Sequence, residues 1–226
     1  MIVLVILAAA LPAALWMYLF YRSDRYQREP GILVARTFLV GGLVGLAFAF
    51  TYSGPSFIRS ALVMAVVAAP IVEETAKFLV VKWTVYRRPE FDEPVDGMVY
   101  AAAAALGFAS VENIVYVLSG YLESGTGAAF YVMAGRSVLS VPAHALFSTI
   151  WGLGLGWQKG RRGLKPRLIV LLSLLGAMAM HAAFNWLVGL QLLGGLVFLV
   201  ALALAWRGVF LLVKRALASS PYSPTS

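Results

Sequence analysis

Six side chains that suit acid–base or metal chemistry interrupt otherwise apolar stretches of this sequence. They are Glu73, Glu74, Glu112, His144, His181 and Asn185. An ionisable side chain near the centre of a bilayer costs about 2.5–3.5 kcal/mol on insertion scales, so inside apolar helices it indicates a functional site by default. The two histidines are the only ones in the chain. We expect the six residues to meet in one interior site.

The glutamates suit the attack of water on an amide bond, because a carboxylate can act as the general base. We assign water activation to Glu74, assisted by Glu73 or Glu112. Glu73 and Lys77 lie four residues apart on one helical face and can pair, whereas Glu74 is turned about 100° away towards another partner. Pro70, just upstream, lacks a backbone N–H and is expected to bend this helix beside the acids.

The histidines have two alternative roles in such a reaction. They can donate hydrogen bonds to the oxyanion that forms, with Asn185 orienting one of them. Alternatively, His144, His181 and Glu112 can bind Zn²⁺ and leave one position open for water. The sequence contains no His-Glu-x-x-His motif, so it lacks the common signature of a zinc protease.

Composition places the chain in a membrane. It is 61% hydrophobic and 12% charged, whereas about 25% of residues are charged in ordinary globular domains. Stretches of about 20 apolar residues, long enough to span a bilayer, recur along the sequence. We predict an all-α fold, a polytopic transmembrane bundle of about seven helices in one domain over residues 1–218, with 219–226 as a disordered cytoplasmic tail. The predicted spans are Val3–Tyr21, Ile32–Tyr52, Ala61–Val85, Gly97–Leu118, Ser137–Trp157, Arg167–Gly189 and Leu190–Val213.

The net charge of +8 is explained by topology and not by nucleic-acid binding. Lysines and arginines cluster on alternate connections, at 22–28, 82–88, 159–167 and 214–215. Cytoplasmic loops are enriched in these residues, so we expect a multi-pass protein of the cell membrane with its N-terminus outside and its C-terminus in the cytoplasm. The absence of cysteine excludes disulfides, thiolate metal sites and a cysteine nucleophile.

Four sequence motifs carry a family resemblance. They are Glu73–Lys77 (EETAK), the run from Phe91 through Tyr100 to Gly107–Asn113, Pro142–Ala145 with Phe147, and His181–Asn185 (HAAFN). In this combination the chain resembles the PrsW-type intramembrane proteases, which are related to CAAX-type prenyl proteases and bacteriocin-immunity-like membrane proteins. The resemblance implies a helical membrane enzyme, often described as a metalloprotease, that cleaves a membrane-anchored substrate such as an anti-sigma factor in regulated proteolysis. It also implies that the six residues above carry the activity.

We therefore expect an intramembrane endopeptidase whose partners are a single-span membrane protein substrate and membrane lipids. One alternative is a prenyl-protein endopeptidase of the CAAX type. Another is a proton-coupled transporter that uses the same glutamates and histidines as a relay, although such transporters are usually built from internal repeats, which this sequence does not show. The last is a non-catalytic membrane scaffold.

The predicted orientation can be tested with reporter fusions. A reporter fused after Arg88 or Lys165 should have cytoplasmic activity, because both follow basic clusters. A reporter inserted near Gly125 should have external activity. An external signal at Lys165 would contradict the orientation.

Overall fold

The computed structural model describes residues 2–52, 63–159, 161–189 and 195–223. Within these ranges the chain is helical, which confirms the predicted all-α class. The helices are α1 (Ile2–Ser23), α2 (Gly31–Tyr52), α3 (Ala69–Thr84), α4 (Pro94–Val138), α5 (Ser140–Gln158), α6 (Leu164–Gly189) and α7 (Gly195–Ala218). A π-helical segment, Met64–Ala68, leads directly into α3.

Four helical stretches among the described residues are long and apolar enough to cross a membrane. They are Ile2–Ser23, Gly31–Phe50, Pro94–Gln158 and Leu164–Gly189. The third contains two of the predicted spans, because α5 follows α4 after a single residue. These stretches support a helical membrane bundle. The predicted loop Ser53–Ser60 and the turn between Gly189 and Gly195 lie outside the described residues, so the count of about seven spans stays a prediction.

Helix α4 reverses direction at Gly125. This glycine has φ 80° and ψ −166°, a backbone conformation that residues with a Cβ rarely adopt. Val117, before the glycine, and Ala129, after it, pack in one apolar cluster with Ala9 of α1. The second limb of α4 therefore returns along the first and brings Arg136 beside Glu112, with 3.0 Å between Nη2 and Oε2.

The first limb of α4 is the centre of the bundle. Its run Ala101–Leu106 is fully buried, and small side chains let neighbouring helices approach closely. A Cβ on Gly97 would overlap the backbone of Gly152 in α5, and one on Gly107 would overlap the backbone of Phe38 in α2. Backbone contact through these glycines fixes α2 and α5 against α4.

The C-terminal end of the chain requires a correction to the predicted tail. Ser220 and Ser223 are buried, as are Ala216 and Leu217 at the end of α7. The Tyr222 hydroxyl donates a hydrogen bond to Asp92 Oδ2 at 2.8 Å. Ser220 and Ser223 are thus packed against the bundle, whereas Ser219, Pro221 and Tyr222 are exposed, and residues 224–226 lie outside the described ranges.

The close approach of α4 and α5 can be tested with two equivalent substitutions. Gly97→Ala should lower the free energy of unfolding by about 1–3 kcal/mol, because the added methyl group forces the helices apart. Gly135→Ala is the control, since no atom lies within 4 Å of a Cβ there, and it should be neutral or stabilising by up to about 1 kcal/mol through helix propensity. Unfolding of the purified protein in mixed micelles measures both. Equal effects would contradict the backbone contact.

Candidate active site

Helices α2 to α6 surround a cavity of about 710 Å³ whose wall combines apolar side chains with a few polar ones. The polar residues on the wall are Glu73, Glu112, Arg136, Ser140, His144, His181 and Asn185, with the Tyr116 hydroxyl. The wall includes five of the six site residues predicted from the sequence. The sixth, Glu74, does not line the cavity and lies behind it, fully buried.

The π-helical segment sets which of the two adjacent glutamates faces the cavity. A π turn holds one more residue than an α turn, and the Ala69 N–H accordingly donates to the Met64 carbonyl, five residues back. The extra residue changes the angular position of everything that follows by about 100°. The side chain of Glu73 consequently reaches the cavity, and that of Glu74 points into the bundle.

Asn185 completes the π-helical segment and does not bond to a histidine. In the π pattern the carbonyl of Ala65 would accept from the N–H of residue 70, but Pro70 has none. Asn185 Nδ2 donates to this Ala65 oxygen at 2.8 Å. The expectation that Asn185 orients a histidine is therefore corrected: its amide joins α6 to the backbone that precedes the glutamates, at the wall of the cavity.

Glu74 is held by four donors. Oε1 is 2.9 Å from Lys77 Nζ and 3.1 Å from His181 Nδ1. Oε2 accepts from the Ser148 hydroxyl at 2.7 Å and from Trp151 Nε1 at 3.0 Å. We did not predict Ser148 and Trp151 from the sequence, although both lie on the helical face of His144, four and seven residues later. A carboxylate with every lone-pair direction occupied in this way orients its neighbours.

Lys77 connects the two glutamates to the first histidine. Its Nζ lies 3.3 Å from Glu73 Oε2 and 2.9 Å from His144 Nδ1, in addition to Glu74. The predicted pairing of Glu73 with Lys77 is present, although Glu74 is the nearer carboxylate. The ammonium also lies 4.5 Å from the centre of the Phe108 ring, which adds a cation–π contact.

The contacts of His144 fix its neutral tautomer. An ammonium only donates, so Nδ1 must accept from Lys77, and the ring proton is on Nε2. Nε2 lies 2.8 Å from Glu112 Oε2. Both nitrogens of His144 are engaged, and the ring is fixed between α3 and α4.

Arg136 also belongs to the site, although the sequence did not predict it. It pairs with Glu112, donates from Nε to Asn113 Oδ1 at 3.2 Å, and stacks 4.0 Å from the centre of the Tyr116 ring. The sequence offers no indication of these contacts, because they depend on the reversal at Gly125. Arg136 holds Glu112, and Glu112 in turn holds His144.

Glu73, His144 and His181 form a possible metal-binding group, with one ligand atom from each within 4.8 Å of the others. The metal set predicted from the sequence contained Glu112, but the structure brings Glu73 to the histidines instead, because Glu112 is occupied by Arg136. Two imidazoles and a carboxylate are the protein ligands of many catalytic zinc sites. His181 fits this use best: its Nδ1–H is held by Glu74, a carboxylate–histidine contact typical of zinc ligands, and Nε2 remains to bind.

The charges around the cavity also fit an added cation. Glu73, Glu74 and Glu112 contribute three negative charges, and Lys77 and Arg136 contribute two positive ones. Neutral histidines leave one negative charge uncompensated in a site that is largely buried. An added cation would be stabilised there.

The role of Glu74 as a fixed anchor can be tested through Trp151. Trp151→Phe removes one donor to the buried carboxylate but keeps most of the ring, and should lower the free energy of unfolding by about 1.5–3 kcal/mol. Trp157→Phe is the control, because Trp157 is half-buried at the end of the same helix and makes no ring contact with the glutamates. Chemical unfolding in detergent distinguishes the two. The anchor role fails if both variants are equally stable.

Comparison with known proteins identifies the family of the chain. The family described as "PrsW family intramembrane metalloprotease" matches residues 29–212. Among relatives called "Protease PrsW", that of Geobacillus kaustophilus is 35% identical over 184 residues, covering 80% of this chain and 77% of the relative. That of Bacillus subtilis is 30% identical over 191 residues, covering 81% and 82%. No solved structure matches the chain. This chain belongs to the PrsW family of intramembrane proteases.

Proposed function

We propose that the chain uses Glu73, His144 and His181 to hydrolyse a peptide bond of a membrane-anchored protein within or close to the bilayer. The observation that carries this proposal is that these three side chains, on three different helices, meet at the wall of one cavity. The remaining wall is mainly apolar, with Phe48, Phe108, Phe147 and Phe184, and suits a substrate segment that leaves lipid.

Glu73 is the general base in this proposal, in place of Glu74. Glu73 lines the cavity and Glu74 has no free lone pair, so of the two adjacent glutamates it is Glu73 that can accept a proton from water there. As the proton passes to the Glu73 carboxylate, the water oxygen attacks the carbonyl carbon of the peptide bond. The Glu73 carboxyl then delivers the proton to the amide nitrogen as the C–N bond breaks, so that an acid and an amine are released.

The two histidines have different roles: His181 stabilises the negative charge that develops on the carbonyl oxygen, and His144 positions the neighbouring carboxylates. Glu74 holds Nδ1–H of His181, so a second proton on Nε2 would give an imidazolium, stabilised by that carboxylate, that donates to the oxyanion. His144 keeps Glu73 and Glu112 at their positions through Lys77 and its own Nε2–H. The neighbouring Asn185 fixes α6 against the π-helical segment.

A metal ion is the alternative to a proton on His181. Glu73, His144 and His181 would hold it, and His144 would have to release its contact with Lys77 to offer Nδ1. A bound Zn²⁺ polarises a carbonyl group and makes bound water acidic.

We further propose that the substrate is a single-span protein, such as an anti-sigma factor, and that the enzyme lies in the cell membrane with its N-terminus outside. The family and the apolar cavity support the class of substrate. The alternation of basic clusters supports the orientation.

Cleavage by purified variants in liposomes with a single-span substrate tests the proposed roles. Glu73→Gln should lower the cleavage rate by about 10²–10⁴-fold, because it removes the base. Glu74→Gln should lower the cleavage rate by a smaller factor, since an amide oxygen can still accept a hydrogen bond from His181 Nδ1. Glu123→Gln is the matched control, as Glu123 is exposed on α4, and should keep full activity. His144→Ala and His181→Ala should abolish cleavage.

The same assay contains the outcomes that would contradict the mechanism. If the Glu73→Gln variant cleaves the substrate and the Glu74→Gln variant does not, the general base is Glu74 and not Glu73. Loss of activity with a chelator, restored by Zn²⁺, would select the metal version, and chelator-insensitive cleavage would select the proton version. Intact cleavage in both histidine variants, together with altered pH-dependent flux, would favour the transporter alternative.

A further inference from the structure

A second cavity, of about 380 Å³, lies at the other end of the helices that carry the active-site residues. It is lined by Tyr86, Gln158, Arg161, Arg162, Gly163 and Arg167. Gln158 follows His144 by 14 residues on α5, and Arg167 precedes His181 by 14 residues on α6. At 1.5 Å per helical residue, the two cavities are about 20 Å apart along the bundle.

The second cavity brings together three arginines that form no salt bridge with the aspartates and glutamates of the chain. All ten aspartates and glutamates of the sequence fall within the described ranges. None of them forms a salt bridge with Arg161, Arg162 or Arg167. Lys159 adds a fourth positive charge nearby, and its Nζ is bonded to the carbonyl oxygens of Tyr86 and Arg88.

The donors at this cavity match a phosphate group. Guanidinium groups bind phosphate oxygens with paired N–H donors. The Tyr86 hydroxyl donates to Gln158 Oε1 at 3.1 Å, which leaves the Gln158 amide N–H₂ to donate. Helix α6 begins at Leu164, immediately after Gly163, so its first backbone N–H groups lie at the same place and add to the attraction of an anion.

The surroundings of the cavity indicate a phospholipid as the source of that phosphate. Leu171 and Leu175 lie four and eight residues after Arg167 and therefore share its face of α6. They are 50% and 51% exposed, as expected for side chains that contact acyl chains. The cavity thus lies where an apolar helical face ends in a basic cluster, at the level of lipid headgroups.

We propose that this cavity binds the phosphate group of an anionic phospholipid whose acyl chains lie along the Leu171 and Leu175 face of α6. Under the proposed orientation the lipid belongs to the cytoplasmic leaflet. Tyr86 follows α3, Gln158 ends α5 and Arg167 is in the first turns of α6, so the headgroup contacts the three segments that also carry Glu73, His144 and His181. The lipid would hold the far ends of these helices together.

Binding of short-chain lipids to the full chain in neutral detergent tests this inference. The ligands are phosphatidylglycerol, phosphatidylcholine with the same chains, glycerol 3-phosphate and inorganic phosphate. The cavity variant carries Arg161→Gln, Arg162→Gln and Arg167→Gln. Its control carries Arg25→Gln, Lys214→Gln and Arg215→Gln, which removes three exposed positive charges away from the cavity. Thermal unfolding and native mass spectrometry report the bound lipid.

We expect phosphatidylglycerol to bind the parent and the control equally and the cavity variant about 100-fold more weakly, at roughly fivefold for each arginine removed. Equal binding to the cavity variant and the control, or equal binding of phosphatidylcholine, would overturn the site. Glycerol 3-phosphate or inorganic phosphate binding as tightly as phosphatidylglycerol would overturn the lipid assignment and leave a site for a soluble phosphate. If the triple variant does not fold, the single variant Arg162→Gln replaces it, because Arg162 lies at an exposed loop position. We then expect phosphatidylglycerol to bind this variant roughly fivefold more weakly than the parent. The measurement does not depend on cleavage and so stands apart from the protease mechanism.

Discussion

The buried ammonium of Lys77 is the interaction on which the rest of the active site depends. Burying this charge in the bundle without a partner would cost several kcal/mol, and so would burying each of the carboxylates beside it. The ammonium lies 2.9 Å from Glu74, 2.9 Å from His144 and 3.3 Å from Glu73. Helix α3 can therefore occupy this depth only when α5 supplies His144, Ser148 and Trp151. The glycine contacts that bring α5 against α4 are thus also a condition for the chemistry.

Much of the fold and the membership of the site could be predicted from the sequence, because the bilayer penalises unpaired charge so strongly. Glu112, His144 and His181 had to meet partners inside the bundle, and the structure places them around one cavity. The choice between Glu73 and Glu74 could not be predicted. It depends on one extra residue in a π turn, and an apolar stretch with a proline is equally compatible with a regular helix or a kink.

Other contacts were beyond the sequence because they depend on how distant segments meet. Arg136 reaches Glu112 only after α4 reverses at Gly125, so the local sequence around it does not predict this contact. Ser220 and Ser223 are polar and follow the last helix, yet they are buried through packing at the end of α7. In both cases the surroundings of the side chain are set by distant segments and not by the local sequence.

The hydrogen bond between Asn185 and the Ala65 carbonyl has a consequence for how this family can vary. Because Pro70 has no N–H, that carbonyl lacks its backbone donor, and Asn185 donates to it from another helix. With any other residue at position 70, a backbone N–H would compete for the same oxygen, and the asparagine amide would lose its partner. A proline without the asparagine would leave this carbonyl without its donor in a bundle that spans a membrane. The two positions, although remote in the chain, should therefore covary among homologous sequences.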